Sequence, residues 1–159
     1  MRYVSKSEAE THQIAFTLGR HLVSGDCVLL YGELGAGKSV FARGCARALG
    51  VKDVMASPSF TLMQPYDGDV FPVRHFDLYR LSGEDELYYS GLEEQIGAEG
   101  VSLIEWPQQA DVCPPVRVEV DIEKGENDVR IIDIVPVNME NREQEIFAAL
   151  RPFEAETQN

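Results

Sequence analysis

An α/β fold, with a mixed and mostly parallel sheet flanked by helices and carrying antiparallel hairpins, is predicted by three features of this sequence. The first is the apolar run Cys27–Tyr31, followed at once by a glycine-rich turn and a helical pattern. The second is a set of later apolar segments, Val101–Ile104 among them, that read as short buried strands. The third is a pair of turns, near Asp67 and Gly125, each lying between strand-like stretches. Those hairpins argue against a purely parallel sheet.

Taken in order, Arg2–Ser5 reads as a short edge strand. Ser7 and Glu10 have capping-box spacing, and Ile14, Leu18 and Leu22 recur every fourth residue, so a helix is expected from Ser7 to about Val23. Cys27–Tyr31 is apolar on both faces, as a central parallel strand should be. A helix is expected over Val40–Leu49, with Phe41, Cys45, Ala48 and Leu49 on one face and Gly50 as its stop. Ser57–Thr61 reads as an extended or looped segment rich in hydroxyls, because Pro58 turns Ser57 away from helix.

Phe60–Tyr66 and Val70–Phe76 form the first expected hairpin, with Pro65 and Pro72 near sheet edges or strand ends. A short acidic helix carrying Leu87 starts around Ser82, with a further turn near Leu92 and Ile96. Val116–Ile122 alternates strictly between apolar and polar residues, the pattern of a half-exposed strand, and its partner runs from Val129 to Val135. Asn141 is expected to cap a last helix whose Ile146, Phe147 and Leu150 face inward. Residues 1–152 read as one domain, and 153–159 as a loose tail.

The chain has 159 residues, 44% of them hydrophobic, enough for one domain with a real core. Its 27 acidic residues against 14 basic ones give a net charge of −13. Such a surface argues against extensive direct contact with nucleic acid or an anionic membrane, and favours protein partners. Cys27, Cys45 and Cys113 are widely spaced, forming neither a zinc pattern nor a disulfide framework, which suits a reducing compartment. No apolar run approaches membrane-spanning length and the N-terminus lacks the order of a signal peptide, so the expected location is the cytoplasm.

Gly32-Glu33-Leu34-Gly35-Ala36-Gly37-Lys38-Ser39 fits the phosphate-loop pattern of Gly, four residues, Gly, Lys and then Ser or Thr. Glycines let such a loop bend until several N–H groups face one point, and the helix behind it turns its positive end to the same place. A chance glycine-rich turn is the plain alternative, but the strand before and the helix after it favour phosphate binding. Glu33 to Val40 would line the phosphates, Lys38 would reach the outer ones, and the Ser39 hydroxyl would hold magnesium.

A nucleoside-triphosphate site also needs a carboxylate for the metal and a group that places water. Glu105 and Asp77 both follow apolar stretches, at the strand ends where α/β sheets put their ligands. The residues alone leave open which acid does which task, and an exposed acid at a strand end remains the plain reading of each. Thr61 is placed to sense the outermost phosphate, or is simply a strand threonine. His75 reads as a core histidine. Trp106 reads as packing, with stacking on a base as the alternative. Arg43 and Arg80 lie near the relevant segments, yet neither spacing identifies an arginine finger. For the adenine end the candidates are Thr11 and Arg130.

Several segments together resemble the TsaE (YjeE) family, small bacterial ATPases of tRNA threonylcarbamoyladenosine biosynthesis. They are the phosphate loop from Tyr31, Ser57-Pro58-Ser59-Phe60-Thr61-Leu62, His75-Phe76-Asp77-Leu78-Tyr79-Arg80-Leu81, Glu86-Leu87 with Gly91-Leu92, and Leu103-Ile104-Glu105-Trp106-Pro107. They span about Ser7 to Ile122 in family order. Where Ser39 and Ser59 stand the family usually has Thr, which keeps the hydroxyl; where Phe60 stands it usually has Tyr.

The resemblance implies a P-loop NTPase-like fold and a magnesium-dependent ATPase, weak in isolation and completed by partners. Those partners are a threonylcarbamoyl transferase subunit (TsaD) and its companion (TsaB), which carry the tRNA. By matching positions, Lys38 and the loop hold phosphates, and Ser39 with Glu105 holds magnesium. Asp77 assists hydrolysis, Thr61 belongs to a nucleotide-sensing switch, and Trp106 lies near the nucleotide or a partner. Two rival readings share the loop. A small-molecule kinase would need a lid with arginines, which Ser82–Gly100 lacks. A nucleotide-dependent interaction switch would bind ATP with negligible hydrolysis.

Overall fold

A computed structural model describes residues 1–156. The elements run β1 (Arg2–Ser5), α1 (Glu8–Gly19), β2 (Cys27–Tyr31), α2 (Lys38–Ala48), β3 (Met63–Asp67), β4 (Pro72–Asp77) and α3 (Glu84–Ser90). They continue with β5 (Val101–Glu105), β6 (Arg117–Lys124), β7 (Arg130–Val137) and α4 (Arg142–Leu150). Single 3-10 turns occupy Glu93–Gln95, Pro107–Ala110 and Arg151–Phe153. The strands form one seven-stranded sheet in the order β1-β7-β6-β2-β5-β4-β3. Its centre is parallel, β6-β2-β5-β4, while β7, β1 and β3 add antiparallel edges. The predicted mixed α/β sheet with hairpins is therefore the observed one.

Alternation along the strands sorts the side chains into two layers. Val28 and Leu30 of β2 face the cluster that holds Ile14 and Leu18 of α1, Phe41 and Cys45 of α2, and Ile146 and Leu150 of α4. Cys27 and Leu29 face the smaller cluster of Phe76, Ile104, Leu87 and Ala110. Both prolines of the first hairpin sit where a missing N–H does least harm: Pro72 opens β4, and Pro65 lies on the edge strand β3. Among the described residues no helix is long and apolar enough to cross a membrane.

Local details depart from expectation for physical reasons. The Ser7 side chain caps α1 by accepting from the Glu10 N–H, but the Glu10 carboxylate reaches the N–H of Lys6 rather than that of Ser7. α1 stops at Gly19, short of Val23, because the chain tightens into i→i−3 turns that still bury Leu22. The inward face of α2 is Phe41, Ala42, Cys45 and Ala46, with Ala48 and Leu49 only half-buried. β3 begins at Met63, since Leu62 (φ 66°) closes a turn whose N–H donates to Pro58 O at 2.8 Å. Asn141 makes no capping hydrogen bond, and Phe147 is half-buried. Beyond α4, Glu154 pairs with Tyr3 and the Ala155 N–H donates to Arg2 O, so the chain follows β1 to that point. The last residues of the expected tail, 157–159, lie outside the described residues.

α1 and α2 cross on a seam of small residues that fixes where the N-terminus of α2 lies. A Cβ on Gly44 would stand 2.6 Å from Ala15 Cβ and 2.7 Å from His12 O, and one on Gly19 would stand 2.8 Å from Ala48 Cβ. Gly44→Ala should therefore destabilise the fold by about 1–3 kcal/mol through overpacking. Helix propensity alone would predict a gain of about 1 kcal/mol. Denaturant unfolding of the two proteins decides between the signs.

Candidate functional site

Gly32–Ser39 leaves the carboxyl end of β2 and enters α2 directly. Gly37 is the N-cap residue at φ 116°, a left-handed conformation that side-chain-bearing residues avoid, and it offers no side-chain cap. The first N–H groups of α2 are thus unclaimed by any side chain of the cap and open onto a cleft, the arrangement that binds anions. At the other end of the loop, a Cβ on Gly32 would stand 2.7 Å from Ile122 O, so only glycine lets the loop lie against β6. The Arg130 Nε–H, from β7, donates to Ala36 O at 2.9 Å and pins the crown of the loop.

Lys38 is 4% exposed, and its ammonium donates to Gly32 O at 2.5 Å and Glu33 O at 2.8 Å. A lysine has three donors, so one remains for a ligand. Nζ also lies 4.4 Å from the centre of the Trp106 ring. Burial pulls the Lys38 pKa below the usual lysine value, while the Glu105 and Asp77 carboxylates pull it back up. Ser39, one residue on, donates through its hydroxyl to Glu105 Oε1 at 3.0 Å and Oε2 at 3.2 Å. Parallel pairing makes that contact possible: Leu30 stands opposite Glu105 and Glu105 opposite Asp77, so both acids emerge beside the loop.

Asp77 has a different set of partners. Its Oδ2 accepts from Ser57 Oγ at 3.2 Å and Ser59 Oγ at 3.5 Å, and its Oδ1 from the Tyr79 N–H at 3.1 Å. The cleft between these groups and the loop has a volume of about 370 Å³. Gly35, Gly37, Lys38, Ser39 and Val40 line one wall; Ser57, Ser59, Asp77, Glu105 and Trp106 line the other. Trp106 holds φ 58° directly after β5, an uncommon conformation for a bulky residue, with the Tyr79 ring 4.8 Å away.

The remaining candidates distribute unevenly. Thr61 lies on the outer side of the Ser57–Leu62 turn, in a separate depression with Val54 and Phe60, and is not brought to the cleft. Thr11 and Arg130 do meet, around a hollow of about 130 Å³ that Gly37 and Val40 share with the cleft. Arg43 points to Glu8 at 3.9 Å, and the Arg80 guanidinium lies 4.4 Å over the Phe60 ring; neither lines the cleft. A groove of about 610 Å³ lies beyond Trp106, walled by Glu33, Asp121, Glu123 and Lys124. Burial, with Glu123 and Asp133 nearby, raises the Asp121 carboxyl from its usual value, and three acidic side chains against one lysine make these walls less suited to a phosphate than the loop.

Comparison with known proteins places this geometry. A family model described as threonylcarbamoyl adenosine biosynthesis protein TsaE matches residues 5–132. The chain belongs to the TsaE family. It is 37% identical over 140 residues to a tRNA threonylcarbamoyladenosine biosynthesis protein TsaE of Rickettsia conorii, covering 87% of this chain and 79% of that one. The TsaE protein of Bacillus subtilis is 34% identical over 138 residues, 86% of each chain. Among solved structures, that of Bacillus subtilis YdiB superimposes with a TM-score of 0.74, at 29% identity, covering 96% of this chain and 94% of that one.

Within this TsaE chain the donor set around Ser39 suits a hard divalent cation. Among the described residues no three His, Cys, Asp or Glu side chains converge as a metal cluster. One hydroxyl beside one carboxylate is the sparse set that magnesium accepts, because it keeps several waters and takes phosphate oxygens. Two sets of contacts were not read from the sequence. Ser57 and Ser59 were legible only as a hydroxyl-rich loop, and their target, Asp77, lies 20 and 18 residues away. His75, read as a core residue, is buried but hydrogen-bonded to Glu105 at 2.6 Å.

The serine contacts tie the 57–62 turn to the cleft. Replacing both hydroxyls, Ser57→Ala with Ser59→Ala, should weaken that turn by about 1 kcal/mol, or roughly fivefold in local opening. Hydrogen exchange at the Leu62 amide, which donates to Pro58 O, measures it. An unchanged rate would mean that the Asp77 carboxylate does not hold the turn, which would then rest on the Asp77 N–H donated to Leu62 O.

Proposed function

We propose that this chain is the subunit that binds and hydrolyses ATP for the threonylcarbamoyladenosine modification of tRNA beside the anticodon, acting on the threonylcarbamoyl transferase complex. The observation that carries the reading is that the open N-terminus of α2 and Lys38 face Glu105 and Asp77 across one cleft. Membership of the TsaE family supplies the process.

Each side chain has a task in this reading. The N–H groups between Glu33 and Val40 cradle the phosphates, and the free donor of Lys38 reaches the outer ones. Ser39 and Glu105 hold magnesium, which supplies neutralisation of the charge that develops on the transferred phosphoryl group. Asp77 orients the attacking water once the serine hydroxyls release it. Trp106 and Tyr79 cover the outer end of the cleft and exclude bulk water. Thr11 and Arg130 hold the nucleoside end. Thr61, on the outer side of the turn that Asp77 holds, moves with it and carries the nucleotide state to the surface. With a net charge of −13 the chain docks on protein, TsaD with TsaB, and these subunits bring the tRNA. The place of action is the cytoplasm.

One observation favours a second reading, a nucleotide-dependent interaction switch with negligible hydrolysis. The Ser57–Ser59 hydroxyl pair and the Tyr79 N–H occupy most of the acceptor sites of the Asp77 carboxylate, leaving little of it open to a water in this conformation.

Calorimetry with magnesium-ATP and phosphate-release assays, with and without the transferase pair, test both. Lys38→Ala should abolish nucleotide binding. Asp77→Ala should leave affinity within a few-fold and lower hydrolysis by about 10²–10⁴, the usual contribution of a positioned acid or base. If tRNA modification survives Asp77→Ala but not Lys38→Ala, the switch reading prevails. No magnesium-ATP binding by the unsubstituted chain, even beside the transferase pair, ends both readings.

A further inference from the structure

Among the described residues the His75 side chain has one hydrogen-bond partner, the Glu105 carboxylate. β4 and β5 pair with Asp77 opposite Glu105 and His75 opposite Leu103. His75 therefore lies two residues behind Asp77 on the same face of the sheet, diagonal to Glu105 and within reach of it. Its Nε2 is 2.6 Å from Glu105 Oε2, and the residue is 2% exposed. An ionised carboxylate can only accept, so Nε2 carries the proton and donates.

The other ring nitrogen points to the same role. Nδ1 is buried with no hydrogen-bond partner among the described residues. Packing alone does not call for an imidazole here, since an apolar side chain of similar shape would avoid leaving a polar atom unpaired. Glu105, meanwhile, is gripped from two sides. His75 donates to Oε2 from within the sheet, and Ser39 donates from the cleft, nearest to Oε1. Among the described residues no other side-chain hydrogen bond holds the carboxylate from the buried side.

We propose that His75 is a positioning residue for cation binding: its Nε2–H fixes Glu105 so that Oε1 faces Ser39 and a divalent cation. The proposal rests on the reading of Ser39 and Glu105 as the magnesium set. Residues that orient metal ligands commonly set affinity for the metal rather than for the rest of the ligand.

The test is calorimetric titration of ADP, which is not turned over, across a range of magnesium concentrations and in excess chelator. His75→Ala should weaken magnesium uptake by the nucleotide complex about tenfold or more, with ADP affinity in chelator within about twofold of the unsubstituted chain. His75→Gln, whose amide can also donate to Glu105, should restore magnesium affinity to within about threefold. His75→Asn, with an amide too short to reach, keeps a polar group and should behave as Ala does; it serves if the Ala variant does not fold. Unchanged magnesium affinity in the Ala and Asn variants overturns the role. Equal weakening with and without magnesium overturns it too, since that marks general damage to the fold. If ADP binding by the unsubstituted chain ignores magnesium, the Ser39–Glu105 set fails first and the proposal falls with it.

Discussion

Parallel pairing through the middle of the sheet is the constraint on which the site depends. β2, β5 and β4 run the same way and in register, so Leu30, Glu105 and Asp77 lie in one row across three strands. Whatever leaves the carboxyl ends of those strands must meet there. The glycine loop leaves β2, Trp106 leaves β5, and Tyr79 follows β4. An antiparallel arrangement of the same three strands would scatter these groups to opposite edges. The small-residue seam between α1 and α2 completes the constraint, because it sets the height at which the first turn of α2 presents Lys38 and Ser39.

Charge in this chain works on two scales. Overall it is strongly acidic, and the groove walled by Glu33, Asp121 and Glu123, with Lys124, carries that character to the start of the loop. Within the cleft one ammonium and the first amides of α2 stand against two carboxylates at close range. Lys38 is buried, and the α2 amides are unclaimed by a cap, so their attraction acts where little water screens it. Two carboxylates face them, but each is engaged by hydroxyl, imidazole or amide donors. The field at this loop is thus a matter of a few ångströms, not of net charge.

Most of the fold could be read from the residues. The period-two alternation of Val118, Val120 and Ile122, the all-apolar Cys27–Leu30, and the glycine at position 50 each have a local cause that acts within a few residues. Errors collected at element ends. α1 ended early at Gly19, where close helix packing took over from propensity, and Asn141 did not cap, because its backbone is already helical at φ −65°. The glycine loop that enters α2 was legible for the same local reason: its glycines, lysine and serine are adjacent in the chain.

Sequence by itself determined where a glycine loop runs into a helix and which strand ends carry an acid, since backbone freedom, helix direction and side-chain chemistry are properties of short segments. Tertiary structure alone decided how those pieces combine. It put Ser39 against Glu105, 66 residues on, and the serines of the 57–62 turn against Asp77, while leaving Thr61 outside. It also turned a histidine that looked like core into the inner partner of a carboxylate. Such contacts are set by strand order and register, which arise from burying two faces of one sheet at once, and no stretch of the chain contains that information locally.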